Sequence, residues 1–260
     1  MFENKQYLKF IENCKNKKID IALTIVTNTE GSTFTKKGNL MLVNAKQEFI
    51  GVLGSAFLQK QVLLTSMKAL KKRESQTFES FPKNESSGHG TSKYLSIPFY
   101  YKNNYLGIEK YIKTPYSLLI FGSGAHVSSL VTMANLMTWK TTVIDMEIKK
   151  EYVSQADELI ELSNLEDILI LDLSFYDASV ILSHDPKTDD VYLEALLKTN
   201  MKYIGLMGNK KSVQRKKKQF NLENDERFFA PIGLDLGSYT DHSIALSICA
   251  EIEKNKNKKI

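Results

Sequence analysis

Residues 117–145, SLLIFGSGAHVSSLVTMANLMTWKTTVID, restrict the fold more than any other stretch of this 260-residue chain. Ser117 to Phe121 is a short apolar run without a charge, the composition of a strand buried on both faces of a parallel sheet. Gly122 and Gly124 follow as G-x-G around Ser123, and Val127, Leu130, Val131 and Leu136 then recur at roughly helical spacing. Thr141 to Ile144 is rich in β-branched residues and is closed by Asp145. Strand, glycine turn, helix, second strand and terminal acid together form a βαβ unit of the nucleotide-binding kind. In such a unit the glycines let backbone approach a phosphate at the helix N-terminus, and the acid takes a ribose hydroxyl. Val127 occupies the place of the third glycine of G-x-G-x-x-G, so the helix is expected to stand farther from the strand.

The rest of the chain fits an α/β protein. Residues 4–18 read as a helix, 19–27, 40–43 and 49–53 as strands, and 55–72 as a helix. Residues 77–81 and 94–101 read as strands joined by the polar loop PKNESSGHGTS. The composition changes near Pro115, which places a first domain at 1–105, a linker at 106–115 and a second domain at 116–260. In the second domain Asp167–Leu173, Ala178–Ser183 and Lys202–Leu206 are strand-like. They alternate with helices at Asp189–Thr199, with Asp189 or Asp190 as cap, and at Ser243–Glu253, with Asp241 as cap. A parallel sheet covered by helices on both faces follows.

Four turns at strand ends carry polar residues: GSGAH (122–126), SHDPKTDD (183–190), MGNKK (207–211) and IGLDLGS (232–238). Strand ends of an open parallel sheet converge on one crevice. Gly122, Ser123, Gly124, His126, Asp145, His184, Asp185, Gly208, Asn209, Lys210, Gly233 and Asp235 are therefore candidates for one site. In the first domain Gly31, Ser32, Thr33, Lys36 and Lys37 bring amides, hydroxyls and cations together in EGSTFTKKG, a composition suited to an anion. The turn GVLGSAFLQ offers a second such place.

Other chemistries find little support. Cys14 and Cys249 are far apart and in no metal spacing, which suits a reducing cytoplasm, with Cys249 in the core and Cys14 partly exposed. His184 and Asp185 are adjacent, and His89 and His242 have no partner spacing, so no metal site is expected. No G-x-S-x-G elbow is present. Neither a signal peptide nor a membrane span is expected. Net charge is +5, and the cluster Lys210, Lys211, Arg215, Lys216, Lys217 and Lys218 reads as a solvated helix face without nucleic-acid motifs around it.

These segments resemble the XdhC/CoxI family, the xanthine dehydrogenase accessory factors. GSGAHVSSL with Trp139 and VID is similar to the family's G-x-G-x-x-A-x-P-L, L-G-W and V-x-V-x-D run. SHDPKTDDVYLEALL, KYIGLMGNKK and PIGLDLGSYTDHSIALSICAEI resemble its later segments, and GSTFTKKGNLMLV its first-domain motif. The resemblance implies a Rossmann-like C-terminal domain joined to a smaller N-terminal α/β domain, forming a homodimer. It implies a chaperone that binds molybdenum cofactor, of the molybdopterin type, protects it while its sulfido ligand is installed, and delivers it to a molybdenum hydroxylase apoenzyme. Departures from the family pattern are specific. Phe57 and Gln59 stand where G-G-C-L-E has its cysteine and glutamate, Thr91 falls at another family cysteine, and Met146–Glu147 replaces the end of D-x-R. Two other readings stay open: an oxidoreductase binding NAD(P) through Gly122, Gly124 and Asp145, and a degenerate member acting only through protein contacts.

Overall fold

A computed structural model describes residues 2–82, 90–183 and 185–257. The chain divides into two compact units, Met1–Thr114 and Pro115–Ile260.

Unit 1 is an antiparallel five-stranded sheet with a helix on each face. Its strands are β2 (Ile21–Glu30), β3 (Leu40–Asn44), β4 (Phe49–Ile50), β5 (Gln76–Ser80) and β6 (Thr91–Phe99), in the order β4-β3-β2-β6-β5. Helix α1 (Lys5–Asn16) puts Tyr7 and Cys14 against Ile21, Leu23, Leu40 and Leu42. Helix α2 (Ala56–Lys72) puts Val62 against Val26, Met41 and Val43 on the opposite face. The alternation of side chains along β2 and β3 thus feeds two cores. Cys14, expected to be partly exposed, is fully buried, because it lies on the apolar face of α1. Residues 106–115, read as a connection, carry a 3₁₀ turn (Ile108–Lys110) and β7 (Ile112–Lys113), which pairs in parallel with β1 (Phe2–Glu3).

Unit 2 is a six-stranded sheet of β8 (Ser117–Phe121), β9 (Lys140–Asp145), β10 (Glu158–Glu161), β11 (Ala178–Ile181), β12 (Tyr203–Leu206) and β13 (Phe228–Phe229). All neighbours are parallel, in the order β10-β9-β8-β11-β12-β13. This is the doubly wound Rossmann order, whose topological switch lies between β8 and β11. Helices α3 (Ala125–Leu136) and α7 (Asp241–Lys256) cover one face through Val127, Leu130, Ala245 and Ile248. Helix α5 (Pro186–Leu197) covers the other through Tyr192, Leu193 and Leu196. Two short helices, α4 (Lys150–Val153) and α6 (Lys210–Gln219), complete the unit.

Several local expectations change. Asp167–Leu173 is not a strand. Residues Leu165–Leu169 form a 3₁₀ helix started by a capping box of Asn164 and Asp167, and Ile168 fills the core beneath α5. Helix α5 begins earlier than expected, capped by Asp185 with Pro186 in its first turn, so Asp189 and Asp190 lie inside it. The cap of α7 is Thr240, paired with Ser243, and Asp241 is the first helical residue.

Candidate functional site at the switch point

Register brings the site together. Phe121 pairs with Ile144 on one side and with Ile181 on the other, and Ile181 pairs with Leu206. The chain therefore leaves all four strands at one level. The ladder continues past the strand ends: Gly122 N–H donates to Ile144 at 2.9 Å, Leu182 N–H to Phe121 at 2.8 Å, Met207 N–H to Ile181 at 3.1 Å and Ile232 N–H to Leu206 at 3.1 Å. These bonds fix where each polar turn begins.

At the centre, Gly122 has φ +105°, and a Cβ there would lie 2.9 Å from the Leu182 carbonyl oxygen. Only glycine fits this approach of two backbones. Gly124 has an ordinary φ of −69° and caps α3 without a side chain. The first-turn amides of a helix have no intrahelical partner, so an uncapped N-terminus behind a glycine turn suits an anion. The His126 imidazole crosses from α3 to the neighbouring strand end, its Nε2 3.0 Å from the Leu182 carbonyl. Ser123 is buried, and its hydroxyl lies 2.7 Å from Asp145 Oδ2 and 2.9 Å from the Glu147 carbonyl, while accepting the Lys149 N–H at 3.1 Å. The other oxygen of Asp145 accepts the Met146 N–H at 2.8 Å. The acid at the end of β9 is thus also a strut for the turn.

Beneath this point Tyr192 stacks on Phe121, with ring centroids 4.3 Å apart, and its buried hydroxyl has no hydrogen-bond partner among the described residues. Burial, reinforced by the charges of Asp145, Asp189 and Asp185, pushes its pKa up and keeps the hydroxyl a donor.

The remaining candidates stand along the same edge. Asp185 accepts the Lys187 N–H at 3.0 Å as the cap of α5, and His184 lies outside the described residues. Asn209 caps α6 by accepting the Ser212 N–H at 2.9 Å, and Lys210 is exposed at the helix start, after a half-buried Gly208 with room for a Cβ at ordinary contact distance. Gly233 has φ +96°, and its N–H donates to Glu251 at 2.9 Å, while Asp235 is exposed.

Two polar anchors escape a sequence reading. Glu251 of α7 also accepts the Tyr203 hydroxyl at 2.7 Å, so one carboxylate joins β12 to the Gly233 loop. Lys216 is not part of a solvated face. It is 1% exposed and its ammonium contacts Asp190, Asp189 at 3.7 Å and the Pro186 carbonyl at 3.2 Å. Asp189 in turn accepts the Ser183 hydroxyl at 2.5 Å, and burial raises its pKa against the opposing pull of that bond and of Lys216. Lys216 lies three residues after Val213, on the buried side of α6, which is the signal that could have found it.

Gly31, Ser32, Thr33 and Lys36 lie in unit 1. Gly31 has φ +72° and packs on Gly90, whose N–H donates to the Ser32 carbonyl at 2.6 Å. The Thr33 hydroxyl donates to the Thr35 carbonyl at 2.8 Å and the Lys36 N–H to Asn39 at 2.7 Å. These groups shape their own loop, with the Lys36 side chain exposed. Among the described residues no group of three or more His, Cys, Asp or Glu side chains is placed to hold a metal ion, and no helix is long and apolar enough to cross a membrane.

The architecture is a Rossmann sheet with a glycine turn at its switch point, joined in the chain to a second α/β unit. Comparison with known proteins narrows the class. Residues 118–252 match the model of the XdhC Rossmann domain, and residues 14–81 match that of the XdhC and CoxI family. The chain belongs to the XdhC and CoxI family. It is 25% identical to a Bacillus subtilis protein described as a probable subunit of xanthine dehydrogenase, over 63% of this chain and 50% of the relative. It is 22% identical to the Escherichia coli protein YqeB, which is uncharacterised, over 91% of this chain and 43% of the relative. The chain therefore spans about half the length of the curated relatives it matches. The crystal structure of a xanthine dehydrogenase from Bacillus halodurans shares the fold over 97% of this chain and 96% of its own, with a TM-score of 0.76 and 19% identity.

Proposed function

We propose that the chain is an accessory factor in the maturation of a molybdenum hydroxylase of the xanthine dehydrogenase type, binding molybdenum cofactor by its phosphate at the Gly122–Ser123–Gly124 turn. The observation that carries this reading is the uncapped N-terminus of α3 behind two glycines at the switch point. Membership of the family and the similarity to a probable component of xanthine dehydrogenase support it.

The residues present fit one end of that cofactor. Gly122 gives backbone access where a Cβ would collide, and the first-turn amides of α3 would hold the phosphate. They do not fit the thiolate chemistry of the family. Phe57, at the cysteine position, is 60% exposed, and both cysteines of the chain, Cys14 and Cys249, are buried. Burial pushes the Cys249 thiol up to about 12 and raises that of Cys14. Sulfur transfer through a thiol of this chain is therefore excluded from the reading. When bound, the cofactor supplies the redox and sulfido chemistry, and this chain holds its phosphate, orients it and delivers it to the client apoenzyme.

Calorimetric titration of the purified protein with molybdopterin tests the reading, and absence of binding ends it. Gly124→Val is the matched control. Its backbone angle suits any residue, but a Cβ would sit 2.9 Å from the His126 ring and close the approach to the amides. A second reading, binding of NAD(P), is favoured by Asp145 at the end of β9, where a ribose hydroxyl is taken in dinucleotide sites. Stabilisation by NAD(P) but not by molybdopterin would select it.

A further inference from the structure

A cavity of about 140 Å³ lies beside the glycine turn, between the first turns of α3 and α7 and over the ends of β11 and β12. Its walls are mainly Leu130, Leu182, Met207, Ala245 and Ile248, with His126 and Asp241 as the polar members. Leu130, Leu182, Ala245 and Ile248 are each at most 2% exposed and form its floor, whereas His126, Met207 and Ile244 are half-buried and Asp241 is exposed, so the space opens to solvent on the side of Asp241. Well-packed cores retain few voids of this size, and an apolar cavity of about 150 Å³ takes up benzene. The backbone around it is pinned: His126 is held on the Leu182 carbonyl at 3.0 Å, and the Leu234 N–H donates to Ser247 of α7 at 3.2 Å.

The polar members select among rings. Asp241 is the single acidic side chain on the wall, and it is exposed at the first position of α7, where it offsets the positive end of that helix. A flat ring placed in this space would have its faces against the leucine and isoleucine side chains and its outer edge toward the Asp241 side, where a carboxylate accepts N–H groups and repels another acid. We infer that this cavity is a binding subsite for a single planar ring whose edge presents N–H donors, an amidine or amino-heterocycle in chemical class. The inference goes beyond the molybdenum-cofactor reading and does not depend on it.

Three probes of one ring size decide the matter: benzamidine, toluene and benzoate, titrated into the full chain by ligand-detected NMR. Benzamidine is expected to bind about tenfold more tightly than toluene, a difference on the scale of one charge-assisted hydrogen bond, and benzoate is expected not to bind. Asp241→Asn should remove that tenfold advantage and leave toluene unchanged. Ala245→Leu should fill the space, abolish binding of every ring and raise the melting temperature. Failure of the wild-type protein to bind any probe overturns the inference, as does equal binding of all three. Unchanged binding in a folded Ala245→Leu protein does the same. If Ala245→Leu does not fold, the wild-type ranking and Asp241→Asn decide alone. Loss of molybdopterin binding with ring binding intact would count against the proposed function and not against this subsite.

Discussion

The turn from β4 to α2 and the turn from β8 to α3 are both built on paired glycines, Gly51 with Gly54 and Gly122 with Gly124. In the first, the protein fills the turn with its own groups. A Cβ on Gly51 would collide with the Tyr7 hydroxyl, and Ser55 caps α2. Gln59 spans the turn, donating to the Gly51 carbonyl at 3.1 Å and accepting the Leu53 N–H at 3.2 Å. In the second turn no side chain caps α3, and Ser123 faces inward to Asp145. The same kind of glycine pair thus produces a closed joint in one unit and an open cradle in the other. The side chains that follow the glycines decide which, and Gln59 does so at a position where the family pattern has an acid.

The comparison can be broken at five positions, beginning with the largest effect. Gly122→Ala places a Cβ against the Leu182 carbonyl at positive φ, and Gly51→Ala does the equivalent against Tyr7 and Leu40. Each should cost about 3 kcal/mol in urea unfolding. Ligand-induced stabilisation should disappear only for Gly122→Ala; equal loss in both would overturn the assignment of the ligand to the turn before α3. Gln59→Ala should cost about 2 kcal/mol, since it leaves the Gly51 carbonyl and the Leu53 amide without their partner. Gln59→Glu should recover part of this, because a carboxylate can accept from Leu53 but cannot donate to Gly51. Ser123→Ala should cost about 1 kcal/mol, because Asp145 keeps the Met146 N–H but loses the Ser123 hydroxyl, and on the proposed function it should also weaken molybdopterin binding, measured by unfolding and calorimetry together. Phe57→Cys, at an exposed position, should change stability by less than about 0.5 kcal/mol. It should nevertheless create a thiol that an aromatic disulfide reagent labels in the native protein, whereas Cys14 and Cys249 react only after unfolding.

Much of this is legible in the sequence. The charge-free run at Ser117–Phe121, the turn at Gly122 and the β-branched stretch ending at Asp145 carry their structure in local pattern. The four polar strand ends are legible for the same reason, since each follows an apolar strand, of five residues at Ser117–Phe121 but only two at Phe228–Phe229. What stays hidden depends on distant partners. Lys216 is a surface residue by composition, and becomes an interior one only because Asp189 and Asp190 arrive from another helix. Glu251 reads as one more acid of α7 until Tyr203 and Gly233 are brought to it. The 3₁₀ helix at Leu165–Leu169 defeats a local reading because its apolar residues, bounded by acids, imitate a strand.

The seating of α7 on α3 has a consequence for how the chain is made. The first helix of the Rossmann unit buries Val127 and Leu130 in the same core as Ala245 and Ile248, more than 100 residues later in the chain. During synthesis the ribosome must therefore emit α7 before this half of the protein can close. Unit 1 has all of its core partners within Met1–Thr114 and is free to fold while the rest is still being translated. Until then that face of the nascent Rossmann sheet is covered only in part, by α3, and Leu130 and Val131 lack their α7 partners.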